Sequence, residues 1–300
     1  MENGNFFHMF ANGADSQNFI SSLSDFYAAF NLIGVCAANS PVKVISFSIE
    51  ETHPHLLLFG QSDDCISFMD MYRWSMIRHI VESRGDSDNV HLNFHLAKVD
   101  SREYLQNVAI YTVIQPTKDG KRYMPYNYPW GTCSLYFKSE GTVPVWQSWP
   151  DGTYHATEMV GNMSRRTRNA LLFSKKPVPD DWLFCNGFLL PSNYIDVQRF
   201  EEIFGSPNSF RVFLGNSSRK DDIVISKMAK TAGVALEDYE ANRICSAECQ
   251  TKFGVLSARW LNPEQRLNLA HRIRRIHHLS IRQIAKFCRI PKKELEKYFK

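Results

Sequence analysis

Hydrophobic and polar positions divide the first 114 residues into seven segments. Asn5–Ala11 (NFFHMFA) and Val42–Glu50 (VKVISFSIE) carry the aromatic and β-branched residues of strands, and Pro54–Gly60 (PHLLLFG) is an apolar run of strand length. Ser21–Cys36 reads as a helix opened by a Ser/Asp-rich stretch. Ser62 or Asp63 would cap a long helix through Arg84 that bears Met69, Tyr72, Met76 and Ile80. Val90–Val99 alternates as another strand, and Ser101–Ile114 is the last helix. The order βαββαβα predicts an α+β domain, an antiparallel sheet with its helices on one face. Pro54 belongs at a strand start, edge or bulge, because it cannot donate to the ladder.

Beyond residue 140 the pattern changes. Residues 141–180 are rich in Trp, Pro and basic clusters and read as connecting chain. An apolar-rich segment from Trp182 to about Asp222 has no assignable chemistry. Helical periodicity returns at Asn262-Pro263-Glu264-Gln265, which offers an N-cap, a first-turn proline and a capping-box glutamine. Leu269, Ile273 and Ile276 form an apolar stripe behind it. A second start at Ser280 and a third near Pro291 complete three short helices, a helix-turn-helix pattern. The expected division is therefore 1–140, a connecting region of no assigned role over 141–261, and a module over 262–300.

Charge sharpens that division. From Gln265 to Lys300 there are eleven Lys/Arg against two Glu, an excess of nine. The whole-chain charge of +4 leaves the remainder acidic by five. Such asymmetry points to nucleic acid as the partner of the tail. Lys292, Lys293 and Lys297 fall on the third helix, with Arg282 and Arg289 placed for backbone phosphates. An apolar content of 44% and a charged content of 22% are ordinary for a globular chain. No apolar run reaches transmembrane length and the N-terminus lacks a signal-peptide pattern, so no membrane is expected. Seven cysteines without a Cys-x-x-Cys pair argue against a disulfide framework and for a reduced, cytoplasmic setting.

The candidate chemistry begins at His53 and His55. In an extended strand, residues i and i+2 share a face, so two imidazoles would project side by side as half of a metal site. Some sixty residues on, Tyr111 and Gln115 stand four apart, one helical turn, with Pro116 ending the helix. Tyr104 lies on the same helix but has Val108 four positions on, which cannot ligate. His91 and His95 form a rival pair sharing a strand face. Tyr123, Tyr126 and Tyr128 read as packing or base-stacking groups. Arg73, Arg78, Arg165, Arg166 and Arg168 read equally as phosphate contacts or solvated surface.

THPHLLLF (Thr52–Phe59), YTVIQP (Tyr111–Pro116) and NYPWGTCSLYF (Asn127–Phe137), in this order and spacing, resemble the single-tyrosine HUH transposases, in particular the REP-associated tyrosine transposase branch. The opening FFHMFANGADSQNFI resembles that family's first strand and loop. The likeness covers roughly residues 5–140, and it departs from the family in Pro54 and in Gln115. LSIRQIAKFCRIPKKELEKYF resembles trihelical helix-turn-helix units of bacterial DNA-binding proteins.

The resemblance implies a ferredoxin-like, RNA-recognition-type sheet and a divalent metal, Mg²⁺ or Mn²⁺, on His53, His55 and Gln115. It implies Tyr111 as a nucleophile that forms a covalent 5′-phosphotyrosine link. The implied substrate is single-stranded DNA at an imperfect hairpin, with double-stranded DNA reached through the C-terminal module. It also implies a monomer or homodimer in a bacterial, nucleoid-associated setting. On this division of labour, removing residues 262–300 would weaken binding and spare cleavage. The alternative is a domesticated, catalytically weak DNA-binding regulator; an RNA-binding protein would need exposed aromatics on adjacent central strands, and no such signature is present.

Overall fold

The computed structural model describes residues 4–11, 19–85, 92–114, 123–139, 141–215, 224–225, 227–228, 238–277, 279 and 281–299. Strands β1 (Asn5–Ala11), β2 (Lys43–Ile49), β3 (Pro54–Gly60) and β4 (Phe94–Lys98) form one sheet in the order β2-β3-β1-β4, each neighbouring pair antiparallel. Helices α1 (Leu23–Ala38), α2 (Ser62–Arg84) and α3 (Arg102–Ile114) alternate with them in the order read from the sequence. Pro54 is the first residue of β3, a position that tolerates its missing N–H.

The helices are divided between the two faces of the sheet, not gathered on one as expected. The pleat puts Met9, Phe47, Leu56, Leu58 and Phe94 on one side, where Phe30 of α1 packs on Phe47 and Tyr72 of α2 on Phe94. His8, Phe10, Ser46, Ser48, His55 and His95 alternate onto the other side. There α3 lies across the sheet, with Thr112 Oγ1 2.7 Å from Ser46 Oγ and the Tyr111 ring against His55. The face that α3 covers holds the polar strand positions together with Phe10 and Leu57, whereas α1 and α2 cover the apolar face.

A β-bulge at Ile45 makes this possible on β2. Val44 pairs with Leu58 and Ser46 with Leu57, so one extra residue sits between them. Tyr136 Oη donates to the bulged Ile45 carbonyl at 2.6 Å, which keeps a buried acceptor satisfied.

Two buried polar residues tie α1 to its surroundings. Asp25 completes a capping box with Ser22 and accepts from both Ser21 and Ser22 N–H groups at 2.9 Å. It also meets Arg84 at 2.6 Å and His79 at 2.9 Å, both on α2. Asn31 is fully buried; its Nδ2 donates to the carbonyls of Leu171 and Gly187, and its Oδ1 accepts from Leu189 N–H. Replacing Asn31 with Ala strands three buried backbone groups and is expected to destabilise the fold by about 3 kcal/mol. Urea unfolding measures this; a loss below about 1 kcal/mol would mean that water re-satisfies those groups.

The region expected to be mere connection belongs largely to the first core. Trp146, Ile195, Phe200, Ile203 and Phe210 join the same apolar cluster as the sheet, and Tyr136 stacks on Phe200 with centroids 3.6 Å apart. This region contains a small sheet of β5 (Glu158–Met159), β6 (Leu183–Cys185) and β7 (Phe188–Leu189), together with α4 (Arg165–Leu171), α5 (Val197–Phe204) and α6 (Pro207–Gly215). It had no legible role because aromatic content alone does not say which core it will fill.

The C-terminal helices have a core of their own. It gathers Leu269, Ile273, Leu279, Ile284, Cys288 and Leu295 from α8 (Pro263–His277), α9 (Ile281–Cys288), α10 (Lys292–Tyr298) and the intervening turn. Ala241, Cys245 and Cys249 of α7 (Asp238–Phe253) complete it, so this unit begins well before residue 262. Asn262 and Gln265 make the reciprocal capping bonds read from the sequence, whereas Ser280 lies outside the described residues. All seven cysteines are reduced and buried, and among the described residues no helix is long and apolar enough to cross a membrane.

Candidate functional site

The polar face of the sheet under α3 concentrates the candidate groups. His55 is on β3, and His53 stands just before that strand with its ring 4.6 Å from that of His55, centroid to centroid. Same-face spacing produces this, as strand geometry requires. Tyr111, on the last turns of α3, sets its ring edge-on to His55 at 5.1 Å and 89°, and to His8 at 6.0 Å. His8 comes from the neighbouring strand β1, with its Nε2 3.3 Å from His55 Nδ1. All four rings are buried, Tyr111 being 3% exposed.

Burial excludes charge from His53. Desolvation, aided by the Arg275 cation nearby, lowers the His53 pKa to about 3, so its imidazole is neutral. Thr52 Oγ1 lies 2.7 Å from His53 Nδ1. His8 and Thr52 therefore engage the Nδ1 atoms of His55 and His53 and fix the setting of both rings, the way outer-shell bonds orient ligating histidines.

That donor set fits half of a divalent site. Among the described residues no group of three or more His, Cys, Asp or Glu side chains converges to hold a metal. Gln115, the expected third ligand, lies outside the described residues. So does His91; its companion His95 shares the polar face and packs on Phe10 at 5.5 Å. Tyr104 is buried on α3, and burial pushes its phenol well up.

Some of this neighbourhood was missed in the sequence. Glu50 is fully buried, directly across from His53, whose carbonyl accepts the Glu50 N–H at 3.0 Å. Its Oε2 receives the guanidinium of Arg275 from α8, with Nε and Nη2 each at 3.0 Å. His8 could have been found from the alternation FFHMF, which puts it in register with a strand neighbour. Arg275 carried no local signal at all, because it arrives from 225 residues away.

The Tyr-Pro-Trp element braces the open edge of β2. Tyr128 Oη donates to the Ile49 carbonyl at 2.6 Å, Ile49 N–H donates to the Trp130 carbonyl at 2.8 Å, and the Trp130 ring stacks on Phe26. Tyr123 and Tyr126 are each 39% exposed. Of the arginines weighed as phosphate contacts, Arg73 pairs with Asp70 and Arg168 with Asp180, and Arg78, Arg165 and Arg166 are exposed. Arg282, Arg289, Lys292, Lys293 and Lys297 are all exposed, and Lys292 approaches Glu296 at 3.6 Å. No family model, no curated protein and no solved structure matches this chain.

Proposed function

We propose that this chain is a single-strand DNA endonuclease and strand transferase that works through a covalent phosphotyrosine. The observation that carries this is the placement of Tyr111 edge-on to His55, with His53 beside it, on one polar sheet face. The strand order β2-β3-β1-β4 with antiparallel pairing agrees with the ferredoxin-like arrangement that the resemblance to single-tyrosine HUH transposases implies.

A divalent ion held by His53 and His55, with Gln115, would supply Lewis-acid polarisation of the scissile phosphate. The chain's own groups do the rest. The Tyr111 oxygen attacks phosphorus, forming an O–P bond as the bond from phosphorus to the 3′-oxygen breaks. The phenol's proton leaves and the 3′-oxygen ends as a hydroxyl. Because the tyrosyl ester keeps the phosphodiester's bond energy, a second 3′-hydroxyl can reverse the step and be joined. His8 and Thr52 orient the imidazoles, and the wall formed by Phe10 and α3 excludes water.

Incubation with Mn²⁺ and single-stranded hairpin oligonucleotides tests the reading. A protein–DNA adduct that survives denaturing electrophoresis is expected. Its absence across such oligonucleotides and metals overturns the enzymatic reading. The burial of Tyr111 favours a second reading in that event, a DNA-binding regulator built on the same fold.

The three C-terminal helices α8–α10 and their exposed cations support a helix-turn-helix role on double-stranded DNA. Replacing Lys292, Lys293 and Lys297 together with Ala should weaken duplex binding. It should also flatten the dependence of log Kd on log salt by about 2 to 3, one phosphate contact each. An unchanged slope in a fluorescence-anisotropy titration would remove α10 from the interface.

A further inference from the structure

Residues at the far end of the chain reach the site described above. Arg275 lies on the last turn of α8, in the unit whose exposed cations are proposed above to meet duplex DNA. Its guanidinium lies against Glu50 at the end of β2, across the strand pair from His53. It is close enough to His53 and Tyr128 for its charge to be felt at both. Glu50 is 1% exposed at its side chain, whereas Arg275 remains 18% exposed. The cation is thus the more exposed member of the pair.

Glu50 needs explaining, because a carboxylate buried to this degree is costly unless paired. It sits in the polar layer next to two imidazoles, one of which is held neutral. Both close Arg275 nitrogens meet the same oxygen, Glu50 Oε2. The Glu50 Oε1 atom is buried and has no hydrogen-bond partner among the described residues. A pair that existed only to fasten α8 to the sheet would use both oxygens in a fork. Meeting at one oxygen, the pair holds the guanidinium at a fixed place beside His53. A guanidinium so placed matches the two non-bridging oxygens of a phosphodiester.

We infer that Arg275 is the side chain that takes the non-bridging oxygens of the scissile phosphate beside His53, His55 and Tyr111, and that Glu50 is its positioning residue. This rests on the nuclease reading above. It makes the C-terminal unit part of the cleavage site, in contrast to the expected split in which that unit only binds. In the transition state negative charge grows on those oxygens, and a preset cation there acts without reorganising.

The test uses the full-length protein, Mn²⁺, and a hairpin oligonucleotide whose scissile phosphate carries one non-bridging methyl group in place of oxygen, as separated diastereomers. The wild type should cleave the unmodified strand and slow on at least one diastereomer. Arg275→Gln should cleave the unmodified strand about 100-fold more slowly at saturating DNA, the usual loss for one oxyanion-binding donor. It should also cease to distinguish that diastereomer from the unmodified strand. Arg275→Lys should recover part of the rate, and Glu50→Gln should lower the rate while keeping the diastereomer preference. Anisotropy without metal gives a second reading, in which only the wild type should favour the unmodified strand over the methylated one.

Wild-type speed in Arg275→Gln, a preference for one diastereomer kept in it, or faster cleavage would each overturn the assignment; the last would mark Arg275 as a plug. If Arg275→Gln unfolds, Arg275→Lys carries the same comparison, and full rate and full preference there would count against a guanidinium fork. No adduct with the wild type overturns the nuclease reading itself, and is told apart from failure of this inference because there the wild type still cleaves.

Discussion

Tyr111→Phe should abolish the covalent protein–DNA adduct, lowering cleavage by on the order of 10³-fold or more, as loss of a sole nucleophile does. The substitution removes one oxygen and keeps the ring that packs at 5.1 Å on His55 and 6.0 Å on His8. The thermal midpoint should therefore stay where it is, and a loss of adduct would be chemical. Tyr104→Phe is the matched control. It lies two turns earlier on α3 and is also buried, but its ring meets Lys227 instead of the histidines. His55→Ala should reduce the adduct as well, since it removes both a candidate ligand and the surface on which Tyr111 rests. An adduct that persists in Tyr111→Phe and vanishes in Tyr104→Phe would reassign the nucleophile and with it the role of the sheet's polar face.

Asp25→Ala is expected to cost about 3–5 kcal/mol of stability, the range for breaking a buried charge pair from one side. The change takes the carboxylate from Arg84 and His79, deletes the α1 capping box and removes the acceptor of the Ser21 and Ser22 N–H groups. The same carboxylate sets an acid limit on the fold. Burial by itself would raise its pKa, but hydrogen bonds from the Ser21 backbone, Arg84, His79 and Ser22 overcome burial and hold it far below its ordinary 3.8. A carboxyl depressed in the folded state adds stability above its unfolded pKa and loses it as pH falls through the folded one. The contribution of Asp25 is therefore whole at neutral pH and begins to decline below about 4. Urea unfolding at pH 7 and across pH 2–5 checks both points. Asp25→Asn should be weaker at pH 7 and show a flatter acid limb than the wild type. A penalty below about 1 kcal/mol for Asp25→Ala would mean the network adds nothing over its absence.

Much of the first 114 residues was legible because local periodicity is enough to mark strands and helices. Period-two spacing put His53 next to His55, and helical spacing put Tyr111 within the last turns of α3. The side of the sheet that α3 would occupy was not legible. It depends on which strand positions are polar in three neighbouring strands at once, and on a bulge that changes the count in one of them. His8 and Glu50 were overlooked because each is a single polar residue inside an otherwise ordinary strand. Arg275 could not have been placed, since nothing near it in sequence refers to Glu50. The start of the C-terminal unit was set too late for a related reason. The cysteines of α7 look like isolated thiols until Cys288 is seen 3.9 Å from Cys245, filling the same core.

The extra residue at Ile45 bears on which insertions and deletions this chain could tolerate. If β2 kept every residue but lost the bulge, Ser46, Ser48 and Glu50 would exchange places with Phe47 and Ile49. Three polar groups would then enter the oily layer beneath α1, and two large apolar ones would crowd the histidines. Deleting Ile45 itself does no such harm, because Val44 opposite Leu58 and Ser46 opposite Leu57 then become consecutive pairs and every later residue keeps its face. A variant shortened by one residue at the bulge should therefore survive selection, and in it the Tyr136 hydroxyl loses the displaced carbonyl that it serves.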